Sequence, residues 1–138
     1  MNIRKGFFVG LGLALFTTFV VGFYFTKDKK FEGGKGVIKY PLEGKTYKLL
    51  LADEPEEWGR GLMFVRQLKG FEGMLFVFPD RKIRRFWNKN TFVDLEVYWI
   101  AGDRVVGKGF LPSIEKSGRI VVISSPAPVD KVVEIIRP

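Results

Sequence analysis

The chain has 138 residues, with 23 lysines and arginines against 15 acids and a formal charge of +8 at pH 7. It contains neither histidine nor cysteine. That excludes Ser-His-Asp and Cys-His relays, disulfides, and zinc, iron–sulfur or c-type haem sites built on those ligands. No phosphate-cradling G-x-x-x-x-G-K-[ST] loop and no calcium-loop spacing of acids occurs, so no cofactor and no metal are expected.

Residues 1–5 form a basic tail ending in Arg4 and Lys5, and Gly6 to Thr26 is an uncharged run rich in Phe, Leu, Val and Gly. At ~1.5 Å per residue that run reaches across a hydrocarbon core of ~30 Å, and it has no polar stripe to face water. The expectation is an uncleaved transmembrane helix at residues 6–26, a signal-anchor. The basic head resembles an export signal, which places the C-terminal domain outside the cell membrane. Against this, a literal count of flanking Lys and Arg favours the opposite orientation. Residues 27–36 read as a charged, glycine-containing linker, and residues 37–138 as one β-rich domain of usual size.

Gly36 to Tyr40 and Thr46 to Leu51 are predicted strands joined by a turn in Pro41-Leu42-Glu43-Gly44-Lys45. Asp53 is the predicted helix cap, with Pro55 in the first turn and Glu56 three residues on. Trp58, Leu62 and Val65 then recur at helical spacing up to a stop at Lys69-Gly70, while Gly59 and Gly61 weaken the helix. Met74 to Phe78 is a short core strand ended by Pro79. Thr91 to Ile100 and Arg104 to Lys108 form a predicted pair across Ala101-Gly102-Asp103. Arg119 to Ile123 is a further strand, and Val129 to Ile136 a strand or short helix. The fold class is therefore α+β: a transmembrane helix, then a compact, mostly antiparallel β domain, curled or barrel-like, with one short helix.

Between the predicted strands lies the most basic stretch. Arg81, Lys82, Arg84, Arg85 and Lys89 place five positive charges in nine positions, interleaved with Phe86 and Trp87 and no acid. Such a stretch suits an anion-recognition surface with forked arginine contacts and an aromatic stacking face. It also suits lipid headgroups or a single strand of nucleic acid, the latter disfavoured for an exported domain. The bland alternative is a solvated loop that contributes Phe86 and Trp87 to the core.

Three motifs carry a family resemblance: Glu57-Trp58-Gly59-Arg60-Gly61-Leu62-Met63 with Arg66, Gly73-Met74-Leu75-Phe76-Val77-Phe78-Pro79, and Phe86-Trp87-Asn88-Lys89-Asn90-Thr91. In this order they resemble uncharacterised protein family 127, also catalogued as domain of unknown function family 192, over roughly Val37 to Ile136. The resemblance implies a compact β-rich domain that is exported or membrane-anchored, and it supplies no reaction. Asn88 stands where the family usually has Met, Asp94 where it has Pro, and Glu96 where it has Asp.

The resemblance directs attention to Arg60, Arg66, Trp87, Lys89, Asn90, Thr91 and Glu96 as ligand-binding candidates. In that reading the arginines meet an anion, Asn90 and Thr91 give directional hydrogen bonds, and Trp87 stacks on a ring. A structural reading pairs Lys89 with Glu96 and makes Asn90 a turn residue. The functional expectation is a membrane-anchored extracytoplasmic binding or accessory domain for a polar or anionic small molecule or surface polymer. Its partners would be the bilayer, through residues 6–26, and an anionic polymer, glycan or envelope protein. The alternatives are a structural envelope component that recruits another protein, and an enzyme acting on envelope glycans or peptides through Lys89 and Glu96.

Overall fold

A computed structural model describes residues 36–67 and 69–138 of the chain. Strands β1 (Val37–Leu42) and β2 (Lys45–Ala52) form the predicted hairpin. Glu43 and Gly44 both take positive φ, 48° and 79°, which is the backbone of a two-residue turn matched to strand twist.

Helix α1 (Pro55–Arg60) follows, one residue later than expected at its start and far shorter. Glu54, not Asp53, is the cap residue, because Pro55 occupies the first helical position where its missing N–H is no loss. Glu57 rather than Glu56 folds back, accepting the N–H groups of Asp53 and Glu54 at 2.9 and 3.1 Å. The predicted continuation through Leu62 and Val65 does not form. Gly61 (φ 49°) and Phe64 (φ 64°) leave helical space, and Phe64 N–H donates to Asn90 O instead. Leu62 and Val65 are still buried, delivered by turns rather than by helical periodicity.

The crossover carries the chain to β3 (Gly73–Lys82), which lies parallel to β2. Pro79 does not end this strand as expected. It sits where the ladder to the last strand slips, between Val77 and Lys82, so its missing N–H breaks no pairing. The basic stretch holds a strand that was expected to be loop, β4 (Arg85–Trp87). β5 (Asp94–Ala101) and β6 (Arg104–Leu111) pair across Gly102-Asp103. A second helix absent from the expectation, α2 (Ile114–Ser117), is capped by the Ser113 hydroxyl and ended by left-handed Gly118. β7 (Val122–Ser124) pairs with β4 as a separate two-stranded ribbon.

The last strand, β8 (Val129–Arg137), inserts between β3 and β5, giving the order β1-β2-β3-β8-β5-β6. Among the described strands only the β2–β3 pair is parallel. β1 and β6 each have one partner, so the sheet is open rather than a closed barrel. The Glu43–Lys108 ion pair at 2.5 Å still links its two ends. Both faces of the central strands are covered. One face carries Met74, Phe76, Val97, Trp99 and Val132 under Leu62 and Val65, and the other Leu49, Leu75, Ile100 and Val133. Strands buried on both faces read as near-continuous apolar runs, which is why the sequence left β8 open between a strand and a short helix.

Asn88 anchors the ribbon. It is fully buried; its amide donates to Pro112 O and Ser117 Oγ, both at 2.9 Å, and its Oδ1 accepts the Val121 N–H at 2.8 Å. Asn88 is therefore a polar hub joining β4, α2 and the approach to β7. Asn88→Ala strands that N–H and two acceptors. It is expected to lower the unfolding free energy by about 3 kcal/mol, read from urea denaturation.

The predicted membrane-spanning helix requires correction. Among the described residues no helix is long and apolar enough to cross a membrane. α1 and α2 have six and four residues. The predicted span at 6–26, the basic tail 1–5 and most of the linker 27–36 lie outside the described residues. The architecture of the described residues is thus an α+β domain with two short helices, neither of them long or apolar enough to be the expected span. The span was inferred from hydrophobic length, the lack of a polar stripe and the basic head, which make a crossing possible without requiring one.

Candidate ligand-binding cavity

A cavity of about 670 Å³ opens between α1, the adjoining turn and the β3–β4 segment. The sequence builds its walls from all three motifs that carry the resemblance and from the basic stretch. α1 and the turn supply Trp58, Gly59, Arg60, Gly61, Leu62 and Met63; β3 supplies Phe76 and Phe78; residues 83–87 supply Ile83, Arg84, Arg85, Phe86 and Trp87. Thr91 and Glu134 complete the lining.

The aromatic walls are held in place by one another. Phe86 meets Phe76 edge-on at 4.9 Å between ring centroids and Trp99 at 5.6 Å, while Trp58 tilts against Phe78 at 5.0 Å. The Trp58 indole donates to Ala52 O at 3.1 Å, which fixes its rotamer. Edge-to-face pairs of this kind lock ring orientation as well as adding contact energy.

The cationic rim is unequal. Arg84 is committed, because its guanidinium lies 4.0 Å over the Phe78 ring and donates to the Asp80 carboxylate and carbonyl at 2.6 Å. Arg85 is exposed and enters no ion pair among the described residues. Arg60 stands across from them on α1. Trp87 remains 46% exposed beside Arg85, with the Lys89 ammonium 5.1 Å over its ring.

Glu134 lies at the floor. It sits in the middle of the central strand β8, opposite Met74 of β3 and Val97 of β5, and is only 4% exposed. Its carboxyl receives no hydrogen bond or ion pair from a described residue. Burial pushes its pKa up to about 8, and none of the rim arginines offsets that shift. This carboxyl is therefore largely protonated at neutral pH.

Arg60, Trp87 and Thr91 are the sequence-derived candidates that meet at this cavity. The others lie elsewhere. Arg66 pairs with Glu115 at 3.0 Å and stacks on Phe92, and Asn90 is a left-handed turn residue (φ 53°). Glu96 accepts from the Tyr98 hydroxyl and pairs with Arg137 beside a shallow depression near Lys108 and Phe110. Asp94, two residues earlier, is engaged by Ser113 N–H and Lys116 at 2.7 and 2.9 Å, and these hold its carboxyl below the usual range. Lys89 and Glu96 are not brought together. The basic patch is also partly neutralised, since Arg81 pairs with Asp130 and Lys82 with Asp80.

Glu134 was missed by sequence reasoning, and so was the convergence of Arg84 and Arg85 with α1. The signal for Glu134 was present in Val132-Val133-Glu134-Ile135-Ile136, where an acid stands at a core-facing position of a buried strand.

Residues 38–137 match the model of DUF192, described as uncharacterized ACR. The chain belongs to the DUF192 family. This domain is similar to the crystal structure of a proposed transcription regulator from Sinorhizobium meliloti 1021. The two are 31% identical over 72% of this chain and 78% of that one, with a TM-score of 0.57. It also shares its fold with a protein of unknown function from Novosphingobium aromaticivorans DSM 12444. There the identity is 23% over 73% and 81% of the chains, with a TM-score of 0.59. No curated protein matches. These comparisons and the described fold replace the expectation of a membrane-anchored extracytoplasmic domain. The bilayer partner, the envelope partners and the single-pass localisation were tied to the 6–26 span, which lies outside the described residues; among the described residues no helix is long and apolar enough to cross a membrane, and nothing in the described domain supports those expectations.

Proposed function

We propose that this DUF192 domain binds a small amphipathic molecule, with an aromatic or otherwise flat apolar body and an anionic outer end, in the cavity beside α1. The observation that carries this reading is the combination of ordered aromatic walls with an arginine rim around about 670 Å³. That volume falls within the range of small-molecule sites, which are mostly apolar with a few fixed polar groups. Trp87 and Phe86 offer ring faces to the body, and Arg85 and Arg60 offer forked donors to the anion. Neither a membrane nor a surface polymer enters this reading. A groove-reading nucleic-acid motif is also disfavoured, because the helices among the described residues have six and four residues.

A pair of matched dyes tests it on the full chain. 8-Anilinonaphthalene-1-sulfonate carries the anion, and N-phenyl-1-naphthylamine has the same ring system without it. Both are expected to bind with enhanced fluorescence. Arg85→Gln is expected to weaken the sulfonate dye about fivefold, the loss of one exposed charge-assisted contact, and to leave the neutral dye unchanged. An equal loss for both dyes would remove Arg85 as the anion contact. Absence of saturable binding by either dye would sink the cavity reading itself.

A further inference from the structure

We infer that Glu134 is the inner specificity contact of this cavity, where its carboxyl donates a hydrogen bond to an uncharged acceptor on the buried end of the ligand. The inference rests on the cavity reading above and adds the chemistry of the ligand's inner end. Its basis is geometric. A carboxyl group 4% exposed reaches the cavity lining from the centre of a six-stranded sheet, with no partner among the described residues. A buried polar group without a partner costs roughly 1–3 kcal/mol, so a ligand that satisfies it recovers part of that cost on binding.

The surroundings determine which partner fits. Across the strands Glu134 is flanked by Met74 and Val97, and Phe76 lies on the same face of β3. α1 contributes Trp58 and Arg60, residues 83–87 contribute Arg84 and Arg85 at the rim, and Thr91 is bound back to Lys89 O at 3.3 Å. On α1, the Glu57 carboxylate is turned onto the Asp53 and Glu54 N–H groups. Among the described residues no cation offsets the burial of this carboxyl, in line with its upward-shifted pKa. In that state Glu134 donates one hydrogen bond and repels no acceptor. Once ionised it becomes an acceptor-only carboxylate and rejects a carbonyl or ether oxygen. Of the cavity-lining side chains, Glu134 is the one whose titration burial moves into the neutral range. The expected ligand class is an aromatic anion bearing a carbonyl, ether or ring-nitrogen acceptor at the end remote from its charge.

The test compares 6-acetylnaphthalene-2-sulfonate with 6-ethylnaphthalene-2-sulfonate, measured by displacement of 8-anilinonaphthalene-1-sulfonate from the full chain. At pH 6 the acetyl compound is expected to bind about fivefold tighter than the ethyl compound, the worth of one buried neutral hydrogen bond. That preference should vanish by pH 9.5. Glu134→Gln keeps a donor without titrating, so it should retain the preference at both pH values. Glu134→Leu should abolish it at both. Equal affinities for the two compounds in the wild type at pH 6 would overturn the assignment to Glu134 while leaving the cavity reading intact. A preference that Glu134→Leu retains would overturn it as well. Failure of all three sulfonates to bind would overturn both.

Discussion

Replacing Gly73 by alanine is expected to destabilise the domain by about 3 kcal/mol or more, one of the largest effects available from adding a single methyl group. A Cβ built at Gly73 would lie 1.9 Å from the Glu134 carbonyl oxygen and 2.9 Å from its carbon. Those atoms belong to the backbone of β8, and a strand held by pairing on both sides cannot yield locally. The glycine is required by close approach rather than by a special φ. Urea denaturation should show a midpoint well below that of the wild type. Gly59→Ala is the control. The added methyl meets nothing within 4 Å, and alanine gains up to about 1 kcal/mol of helix propensity over glycine in α1. A Gly73→Ala protein as stable as the wild type would mean that β3 and β8 are not in the register that places Gly73 opposite Ile135.

The second large effect is a loss of stability as pH rises through neutrality. Glu134 has a folded-state pKa of about 8 against 4.5 for an exposed glutamate. Between those values the folded protein holds a proton that the unfolded chain has released. Stability is therefore greatest below pH 4.5 as far as this group is concerned. It falls progressively as pH rises and reaches its full deficit above about pH 8. At pH 7 the deficit is about 3 kcal/mol, from 1.36 kcal/mol per unit of separation. Asp94 acts in the opposite sense at low pH, because its depressed pKa contributes stability that disappears as the solution is acidified. A chain without histidine has few other groups to obscure the neutral window.

Glu134→Gln isolates this effect. A buried glutamine amide resembles the protonated carboxyl in size and polarity, so the two proteins should be of similar stability near pH 4.5. At pH 7 the variant should be about 3 kcal/mol more stable, because it has no proton to take up. Urea midpoints of both proteins across pH 4.5 to 8.5 give the comparison. Parallel profiles would mean that Glu134 is ionised in the folded state, which would also contradict its role as a donor. A gain in stability on mutating a polar residue in a cavity is the pattern expected where function rather than folding maintains it.

Much of the fold was legible locally. Glu43-Gly44 and Gly102-Asp103 announced their turns because tight two-residue connections need residues that tolerate positive φ. The strand positions of β1, β2, β5 and β6 followed from β-branched and aromatic runs. The helix at Pro55 was visible through its acidic first turn, yet its length was not. Trp58, Leu62 and Val65 satisfy helical spacing equally well when turns deliver them to the core, so periodicity misjudged a segment broken by Gly61. α2 had its own markers, Ser113 at the cap and Gly118 at the end, but only four residues between them. At the candidate site, Arg60, Trp87 and Thr91 were found through the family motifs, whereas Arg66 and Glu96 are paired elsewhere, Asn90 serves a turn, and Lys89 lies over the Trp87 ring without lining the cavity.

By itself the sequence determined the family, the absence of histidine and cysteine chemistry, and the inventory of strands and turns. These depend on residue identity and on spacing between near neighbours. Only the tertiary structure decided that the last strand lies between β3 and β5, since strand pairing is a contest among distant segments with similar local propensities. That one insertion buries Glu134 between Met74 and Val97 and brings it beneath residues 58–63 and 83–87. A carboxyl's protonation state and its access to a cavity depend on which neighbours exclude water from it. Those neighbours were chosen by the sheet, not by the chain on either side of residue 134.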